Sequence, residues 1–249
     1  MIWHLIDSGE NTGTYNMQFD IDLANNCKPN EAYFRIYRWN PFCISLGANQ
    51  KFDDINLSKT KIDGIDIVKR PTGGRAILHA EELTYSVVLP YNFVLSPREI
   101  YFKISNALMN GLEIYNPVLA KSQLEDYQPN FPKLLKEPSG VLCFASTAKN
   151  EVKFNGKKLI GSAQRKLNNI ILQHGSILCG PFHKKLVEYI NSDEETKSAL
   201  TSELNNKTTE LGTILNEEID YQKLKTCLIV GFELEWQIKF EPVIETISN

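Results

Sequence analysis

The sequence predicts an α+β protein, within the broad α/β class, whose central mixed or antiparallel sheet is flanked by helices. Runs of β-branched and aromatic residues come in groups, and helical patterns follow these groups instead of alternating with each strand. Polar turn dipeptides also join neighbouring runs directly, as antiparallel strands require. Because 42% of the 249 residues are apolar, the chain has material for a sizeable core.

The first half of the chain divides into a helix, a group of strands and a second helix. Apolar side chains at helical spacing predict a helix over 15–27, which Pro29 stops. Pro97 opens another amphipathic pattern and predicts a helix over 97–113. Between the two helices, β-type residues bounded by Pro and Gly predict strands over 32–39, 42–46, 65–70, 76–78 and 84–89.

Turn chemistry gives the strongest local signal in the second half. Asn155-Gly156 supplies both positive φ angles of a type I′ turn, so 151–163 should form a hairpin. A polar turn at 167–170 should then add 171–173 as the third strand of a meander. Beyond it we expect helical structure after Pro181, a mobile polar connection over 192–207, a helix over 216–230 and a last strand over 235–240.

One domain is expected over 1–249. Its core motifs lie at about 30–180, and 192–249 forms a C-terminal helical and strand extension. The stretch beyond the polar connection is too short to build an independent core.

Charge and cysteine content exclude several classes of function. The chain has 27 basic and 30 acidic residues, so it has no global basic field for nucleic acid or an anionic membrane surface. No apolar run approaches the ~18 residues of a transmembrane helix, and 2–6 is too short for a signal peptide. Five widely spaced cysteines, an odd number, argue against a disulfide framework or a metal site and favour a reducing cytoplasm.

A cationic Gly-Gly segment over 69–79 is the first candidate site, since Rossmann and Walker signatures are absent. Gly73 and Gly74 let backbone N–H groups approach a ligand closely. Arg70 and Arg75, beside them, are suited to a phosphate or carboxylate. A tight hairpin with solvated arginines explains this segment alone equally well.

A thiol and a lysine pair form the second candidate. Cys143 would ordinarily be interpreted as a buried structural thiol, and His79 as a hydrogen-bonded core residue. Lys157 and Lys158 follow the predicted turn, and neighbouring strand residues point to opposite faces, so one lysine can face inward. An ammonium close to a thiol favours the thiolate. The alternative is that both lysines are charges that protect an edge strand.

Four blocks occur in a fixed order: Arg-Pro-Thr-Gly-Gly-Arg-Ala-Ile-Leu-His over 70–79, Glu-Leu-Thr-Tyr-Ser over 82–86, Gly-Lys-Lys-Leu-Ile-Gly-Ser-Ala-Gln over 156–164 and Gln-His-Gly-Ser-Ile-Leu over 173–178. Together they resemble the biotin/lipoate protein ligase superfamily, and more narrowly its cysteine-dependent octanoyltransferases. The resemblance covers the central chain, from about residue 39 to 178.

The resemblance implies a single α/β catalytic domain and a role for each block. Cys143, in a Cys-Phe-x-Ser context, would be the acyl-accepting nucleophile. Lys158, directly before Leu-Ile-Gly-Ser, would be the active-site lysine. The substrate-binding positions would be Arg70, Gly73, Gly74, Arg75, His79, Gly161, Ser162 and His174.

The implied substrates are octanoyl-acyl carrier protein as donor and a lipoyl domain as acceptor. The acceptor would be the glycine cleavage H protein or the E2 subunit of a 2-oxoacid dehydrogenase. A thioester arrives activated, so neither ATP nor another cofactor is required. The octanoyl chain needs an apolar tunnel, and the acidic carrier needs a basic patch. We expect the tunnel to be lined by Ile77, Leu159, Ile160, Ile171 and Leu172, and the patch to consist of Lys69, Arg70 and Arg75.

Two alternatives stay open. An ATP-dependent lipoate-protein ligase would share the sheet, the Gly-Gly block and the lysine. Such ligases typically carry a third glycine where Arg75 stands, and many add a domain for which this chain has little room. A non-catalytic acyl- or biotin-binding member of the superfamily is the other alternative.

Overall fold

The computed structural model describes residues 1–91, 94–127 and 149–242, so Cys143 lies outside the described residues. The strands are β1 (Ile2–Asn11), β2 (Glu31–Trp39), β3 (Cys43–Leu46), β4 (Asp66–Lys69), β5 (Ile77–His79), β6 (Glu82–Pro90), β7 (Gln123–Leu124), β8 (Val152–Phe154), β9 (Lys157–Lys158), β10 (Ile160–Leu167), β11 (Ile170–Leu178) and β12 (Phe240–Pro242). The α-helices are α1 (Gly13–Asn26), α2 (Leu57–Ile62), α3 (Pro97–Tyr115), α4 (Glu194–Lys207), α5 (Leu211–Leu215) and α6 (Tyr221–Trp236). Short 3-10 helices cover Phe52–Asp54, Pro117–Lys121 and Pro181–Tyr189. Of the helices in these ranges, none has the length and apolar character needed to cross a bilayer.

A six-stranded mixed sheet forms the centre, in the order β10-β11-β6-β2-β1-β12. Neighbours from β10 to β2 are antiparallel, whereas β1 runs parallel to both β2 and β12. Two three-stranded sheets, β4-β3-β5 and β7-β8-β9, accompany it. This mixed sheet with flanking helices confirms the predicted fold class, while the extent of one domain over 1–249 stays a prediction.

One face of the central sheet is apolar and packs on α3 and α6. Phe34 and Leu83 point to this side, and both are fully buried in the main core with residues of the two helices. The helices cross at Gly111 and Gly231, where a Cβ built on Gly231 would lie 2.4 Å from the backbone nitrogen of Gly111. Only glycine permits this close approach, so the pair sets how tightly the helices cover the sheet.

The opposite face is polar although it is buried. The register aligns Arg35 of β2 with Ser86 of β6, and Ser86 with His174 of β11. All three are at most 5% exposed, because α1 packs over the strands that carry them. Buried polar groups need hydrogen-bond partners, so this side holds a network instead of a packed apolar layer.

Local signals in the sequence form the predicted elements. Ser96 and Glu99 make a capping box at the start of α3. Asn155 and Gly156 have φ angles of 47° and 77°, which confirms the turn between β8 and β9. Asn168 has a φ of 51° at the turn between β10 and β11, which confirms the second predicted hairpin. The meander is wrong, because β8 and β9 belong to a separate three-stranded sheet.

The prediction of a mobile connection over 192–207 is wrong. Residues Glu194–Lys207 form α4, which the Asp193 side chain caps by accepting a hydrogen bond from the Thr196 backbone at 2.7 Å. Leu200 and Leu204 are each 1% exposed in a second apolar core beneath the β4-β3-β5 sheet. The helix buries so narrow a stripe that its composition resembles that of a polar linker.

The two ends of the central sheet also differ from expectation. The strand predicted over 235–240 is mostly wrong, because α6 continues to Trp236 and β12 covers only Phe240–Pro242. The N-terminal strand β1 was not predicted, since several of its side chains are only half-buried and its apolar alternation is weak. A register shift between Asp7 and Glu10 interrupts that alternation further.

Candidate active site

A narrow cavity lies between the polar face of the central sheet and the β4-β3-β5 sheet. It offers about 30 Å³ to the centres of water-sized molecules. Side chains and backbone of both sheets and of α1 line it: Met17, Tyr37, Trp39, Ser45, Arg70, Ile77, His79, Thr84, Gly161, Ser162, Ala163, His174, Gly175 and Ser176. Five of the predicted substrate-binding positions are among them, namely Arg70, His79, Gly161, Ser162 and His174.

Arg70 lines the cavity, but its guanidinium holds the Gly-Gly loop. It donates five hydrogen bonds: two to Gly73 O at 3.2 and 3.0 Å, one to Arg75 O at 2.7 Å, and two to the carbonyl and hydroxyl of Ser45 at 2.9 and 3.1 Å. Arg70 is 4% exposed, so it does not belong to a surface basic patch, unlike the exposed Lys69. Among the described residues, the guanidinium of Arg70 thus ties the Gly-Gly loop to β3.

The Gly-Gly loop crosses the end of β3 at backbone contact. A Cβ on Gly47 would lie 2.0 Å from Gly74 O, and Gly74 has a φ of 98°. The Ala48 backbone donates to Thr72 O at 3.0 Å. Gly73, by contrast, has no atom within 4 Å of a built Cβ. Of the two glycines in the predicted site, Gly74 is thus required by the backbone geometry.

His174 fixes the same loop from the central sheet. Its Nε2 lies 2.6 Å from Thr72 Oγ1, and its Nδ1 lies 3.3 Å from Asp20 Oδ2. Burial lowers the pKa of His174, although Asp20 opposes the shift. The neutral ring then donates a hydrogen bond through Nδ1 to the Asp20 carboxylate. Its Nε2 accepts a hydrogen bond from the Thr72 hydroxyl.

Asp20 anchors this part of the polar network. Burial alone would raise its pKa, but the hydrogen bond from His174 and the positive charge of Arg35 bring it below the ordinary 3.8. Arg35 Nη1 lies 2.8 Å from Asp20 Oδ1, and both side chains are fully buried. The sequence analysis missed both residues. A paired Arg and Asp on neighbouring elements has no periodic pattern that would have revealed them.

His79 lies at the centre of a second buried group of hydrogen bonds, between Glu82 and Ser45. Its Nδ1 lies 2.8 Å from Glu82 Oε1, and its Nε2 lies 2.7 Å from Ser45 Oγ. Its ring stacks on Trp39 with centroids 4.1 Å apart and planes 11° apart. Burial would raise the pKa of Glu82, but His79 and the hydroxyl donors lower it, so Glu82 accepts as a carboxylate. The hydrogen-bonded core histidine considered from the sequence is what the structure has, and it also lines the cavity.

Lys158 is buried, as the inward-facing alternative predicts, but it is not part of the cavity lining. Its Nζ lies 2.9 Å from Glu151 Oε2, and Glu151 Oε1 accepts a hydrogen bond from the Ser162 backbone at 3.1 Å. Lys157 is exposed and donates to Asn205 O at 3.1 Å. Glu151 therefore links the lysine to the cavity wall, a connection that the sequence analysis did not identify.

The C-terminal segment holds Lys158 in place. The Thr209 backbone donates to Lys158 O at 3.0 Å, and Thr208 forms a parallel bridge with Lys158. His183 Nε2 in turn lies 3.2 Å from Thr208 Oγ1. The end of α4 thus completes the backbone pairing of β9, so this extension serves the site structurally.

Of the five residues predicted to line an acyl tunnel, one lines the cavity. Ile77 lines the cavity. Leu159, Ile160 and Ile171 pack in the main core, and Leu172 packs against Ala24 of α1 and Val88. Three larger residues line the cavity in their place, Met17, Tyr37 and Trp39. Neighbours along a strand alternate between faces, so a run of apolar residues did not indicate which side meets the cavity.

The four cysteines of the described residues are free thiols with low reactivity. Burial raises the pKa of Cys179 to about 12 and that of Cys27 to about 11. Burial also raises the pKa of Cys43 and Cys227. Raised thiol pKa values disfavour the thiolate, so none of these four suits nucleophilic chemistry. The described residues also contain no cluster of His, Cys, Asp and Glu suited to a metal ion.

Comparison with known proteins assigns the chain to a family. Residues 12–233 match the family model of the lipoyl protein ligase A/B catalytic domain. The chain belongs to this family. Octanoyltransferase LipM of Lysinibacillus sphaericus is 31% identical to it over 249 residues, which cover 96% of this chain and 89% of that protein. Octanoyltransferase LipM of Staphylococcus aureus is 31% identical over 250 residues, covering 97% and 89%. The resemblance found in the sequence is confirmed.

Solved structures share the fold of this lipoyl protein ligase A/B family member. A putative lipoate protein ligase from T. acidophilum with bound lipoic acid has a TM-score of 0.75 at 18% identity, covering 100% of this chain and 91% of that one. Lipoate-protein ligase A bound with ATP has a TM-score of 0.75 at 19% identity, covering 98% and 90%. At these identities the likeness confirms the fold of the catalytic domain.

Proposed function

We propose that this protein transfers an octanoyl group from acyl carrier protein to a lysine of a lipoyl domain through a thioester on Cys143. The observation that carries the proposal is the narrow cavity, lined largely by apolar groups, that adjoins the Lys158–Glu151 pair through Ser162. The curated relatives at 31% identity, named octanoyltransferases, support the acyl group.

The reaction consists of two acyl exchanges. In the first, the Cys143 thiol loses its proton and the thiolate attacks the thioester carbonyl; a new S–C bond forms, the C–S bond to the carrier breaks, and the carrier thiolate takes up one proton in place of the one that Cys143 lost. In the second, the ε-amine of the acceptor lysine attacks the acyl-enzyme, an amide forms, and the Cys143 thiol is released. One thioester replaces another before the lower-energy amide is made. The two reaction steps therefore proceed without ATP or another cofactor.

Lys158 is the cation that we assign to this chemistry. Its ammonium is 1% exposed, and it pairs with the Glu151 carboxylate 2.9 Å away. A buried ammonium favours a nearby thiolate and donates to an oxyanion that forms on the acyl carbonyl. Glu151 keeps the lysine charged and oriented, because an unpaired ammonium at such a position would be costly.

The partners follow from the proposed reaction. The donor is octanoyl-acyl carrier protein, and the acceptor is the lipoyl domain of a glycine cleavage H protein or of an E2 subunit. A fold neighbour from Thermoplasma acidophilum, a bi-partite lipoate protein ligase, was solved in a study with its E2 lipoyl domain. The four free thiols of the described residues fit a cytoplasmic location, where thiols stay reduced.

Intact mass of the protein tests the proposal. Incubation with octanoyl-acyl carrier protein, without ATP, is expected to add one octanoyl mass to the wild type and to leave Cys143→Ala unmodified. Cys179→Ala is the matched control and should still acquire the adduct. In a parallel incubation with an apo-lipoyl domain, modification of that domain that requires ATP and free octanoate, with no adduct on the enzyme, would instead establish the ligase alternative, because a ligase acylates its acceptor through an adenylate. Modification of neither protein under either condition would leave the non-catalytic binder.

A further inference from the structure

We infer that Met17 closes the end of the cavity opposite Lys158 and thereby sets the length of the acyl chain that the protein accepts. The inference deepens the proposed function and rests on it. It assigns an unbranched, saturated acyl chain of medium length to the cavity, with its methyl end against Met17.

The cavity crosses the strands of the central sheet instead of running along one of them. Its lining begins at Gly161 on β10, continues through Ser176 on β11 and Thr84 on β6, and reaches Tyr37 on β2. Three of these pairs face each other directly in the ladders, Gly161 with Ser176, Ser176 with Thr84 and Thr84 with Tyr37. Three strand spacings amount to about 14 Å, which accommodates an extended eight-carbon chain.

The two ends of this path differ in chemistry. At the β10 end, the Ser162 backbone donates to Glu151, which pairs with Lys158. This is the end at which the proposed reaction takes place. At the β2 end the cavity is bounded by Tyr37, Trp39 and, from α1, Met17, which belong to one buried cluster. An acyl chain with its carbonyl near Lys158 therefore points its methyl group at this cluster.

Tyr37 and Trp39 are fixed on several sides. Trp39 Nε1 donates to Thr84 Oγ1 at 2.7 Å, while its ring stacks on His79. The Tyr37 hydroxyl donates to Asp20 Oδ2 at 3.2 Å, and the Arg35 guanidinium lies 3.9 Å above its ring. Moving either aromatic side chain would break the buried polar network.

Met17 is the adjustable member of the cluster. It is 5% exposed, and its unbranched thioether fills space through packing. A chain longer than the cavity would have to displace it, which overpacks the site. Replacing it with alanine removes three heavy atoms in line with the chain, so the cavity would extend by about two carbons.

Chain-length competition tests the inference. Hexanoyl-, octanoyl- and decanoyl-acyl carrier protein are supplied in pairs, and acyl-enzyme masses are compared at early times. Each buried methylene changes affinity by a factor of about four. Met17→Ala should therefore raise the decanoyl-to-octanoyl ratio about tenfold, and Met17→Phe should raise the hexanoyl-to-octanoyl ratio by a similar factor.

Met109→Ala is the matched control, because Met109 lies on α3, partly buried against the main core. It should keep the wild-type ratios. Unchanged ratios in a folded Met17→Ala and a folded Met17→Phe would overturn the inference, and so would an equal shift in Met109→Ala. Wild-type protein that takes up no octanoyl group would refute the proposed function instead, so the two failures are distinguishable.

Discussion

The Glu151 carboxylate lies 2.9 Å from the Lys158 ammonium, and both side chains are buried to within 3%. Its second oxygen accepts from the Ser162 backbone, at the wall of the cavity. One carboxylate thus neutralises the lysine and fixes its distance from the site. Removing either partner of a buried ion pair of this kind lowers the stability of the folded protein strongly.

Glu151→Ala is expected to remove the carboxylate that pairs with the buried Lys158 ammonium at 2.9 Å. The free energy of unfolding should fall by about 3–5 kcal/mol, since breaking a buried ion pair at one partner is strongly destabilising. Urea unfolding at pH 7 measures this change. Glu125→Ala is the control: Glu125 pairs with Lys153 at 2.8 Å but is partly exposed, so its loss should cost no more than ~1 kcal/mol. Equal effects in the two variants would contradict the assigned role.

Lys158→Ala is expected to slow acylation of Cys143 and to raise the apparent pKa of its thiol, because the ammonium favours the thiolate. The pH dependence of the acylation rate measures the shift. Lys157→Ala, one residue earlier and exposed, should leave the profile unchanged. A wild-type profile in Lys158→Ala would remove the lysine from the mechanism.

His174 should make stability depend on pH. Burial holds its pKa in the folded state below the ordinary 6.5, so protonation favours the unfolded state. Its contribution is complete above pH 6.5 and is lost as the pH falls from there through the lowered value. Urea unfolding between pH 5 and 8 should show a smaller loss of stability in His174→Gln than in the wild type.

Burial also lowers the pKa of His183, so this residue too should make the protein less stable as the pH falls. The effect of His174 must therefore be separated from that of His183. The comparison is therefore the difference between wild type and variant. Parallel curves for His174→Gln and wild type would contradict the prediction.

Gly47→Ala is expected to disrupt the Gly-Gly loop, because its Cβ would lie 2.0 Å from the backbone oxygen of Gly74. Overpacking against backbone should cost about 1–3 kcal/mol, which urea unfolding would show, and acyl uptake should fall with it. Gly73→Ala serves as the stability control in the same loop, since a Cβ there meets no atom within 4 Å.

Leu204→Ala tests whether α4 is a packed helix. Leu204 is 1% exposed, so its truncation should destabilise the protein by about 2–5 kcal/mol. Leu234→Ala on α6 removes the same atoms from a side chain that is 62% exposed and should change stability little. Slow amide exchange over 194–207 would be a second sign of the packed helix.

The sequence predicted the fold class and most element positions because their signals are local. The Asn155-Gly156 turn and the helix start at Pro97 each depend on a few adjacent residues. The helix at 194–207 was missed because its apolar stripe is narrow. β1 was missed because several of its side chains are only half-buried and its apolar alternation is weak.

The site was predictable to the extent that its residues lie in the four blocks. Those blocks contain Arg70, His79, Ser162 and His174, all of which line the cavity. Asp20, Arg35 and Glu151 act through contacts between distant elements, for which a single sequence carries no pattern. The place of Arg70 in a surface basic patch was wrongly predicted, because a charged residue beside two glycines does not reveal that it is buried and donates to carbonyls of its own loop.

The pairing of β1 with β12 joins opposite ends of the described chain, with Trp3 opposite Phe240. During synthesis, the edge of β1 that pairs with β12 therefore stays unpaired until the ribosome has made nearly all of the elements between the two strands. An unpaired edge invites association with other chains. The weak apolar alternation of β1, which left the strand unpredicted, also limits how well its unpaired edge can serve as a template for aggregation.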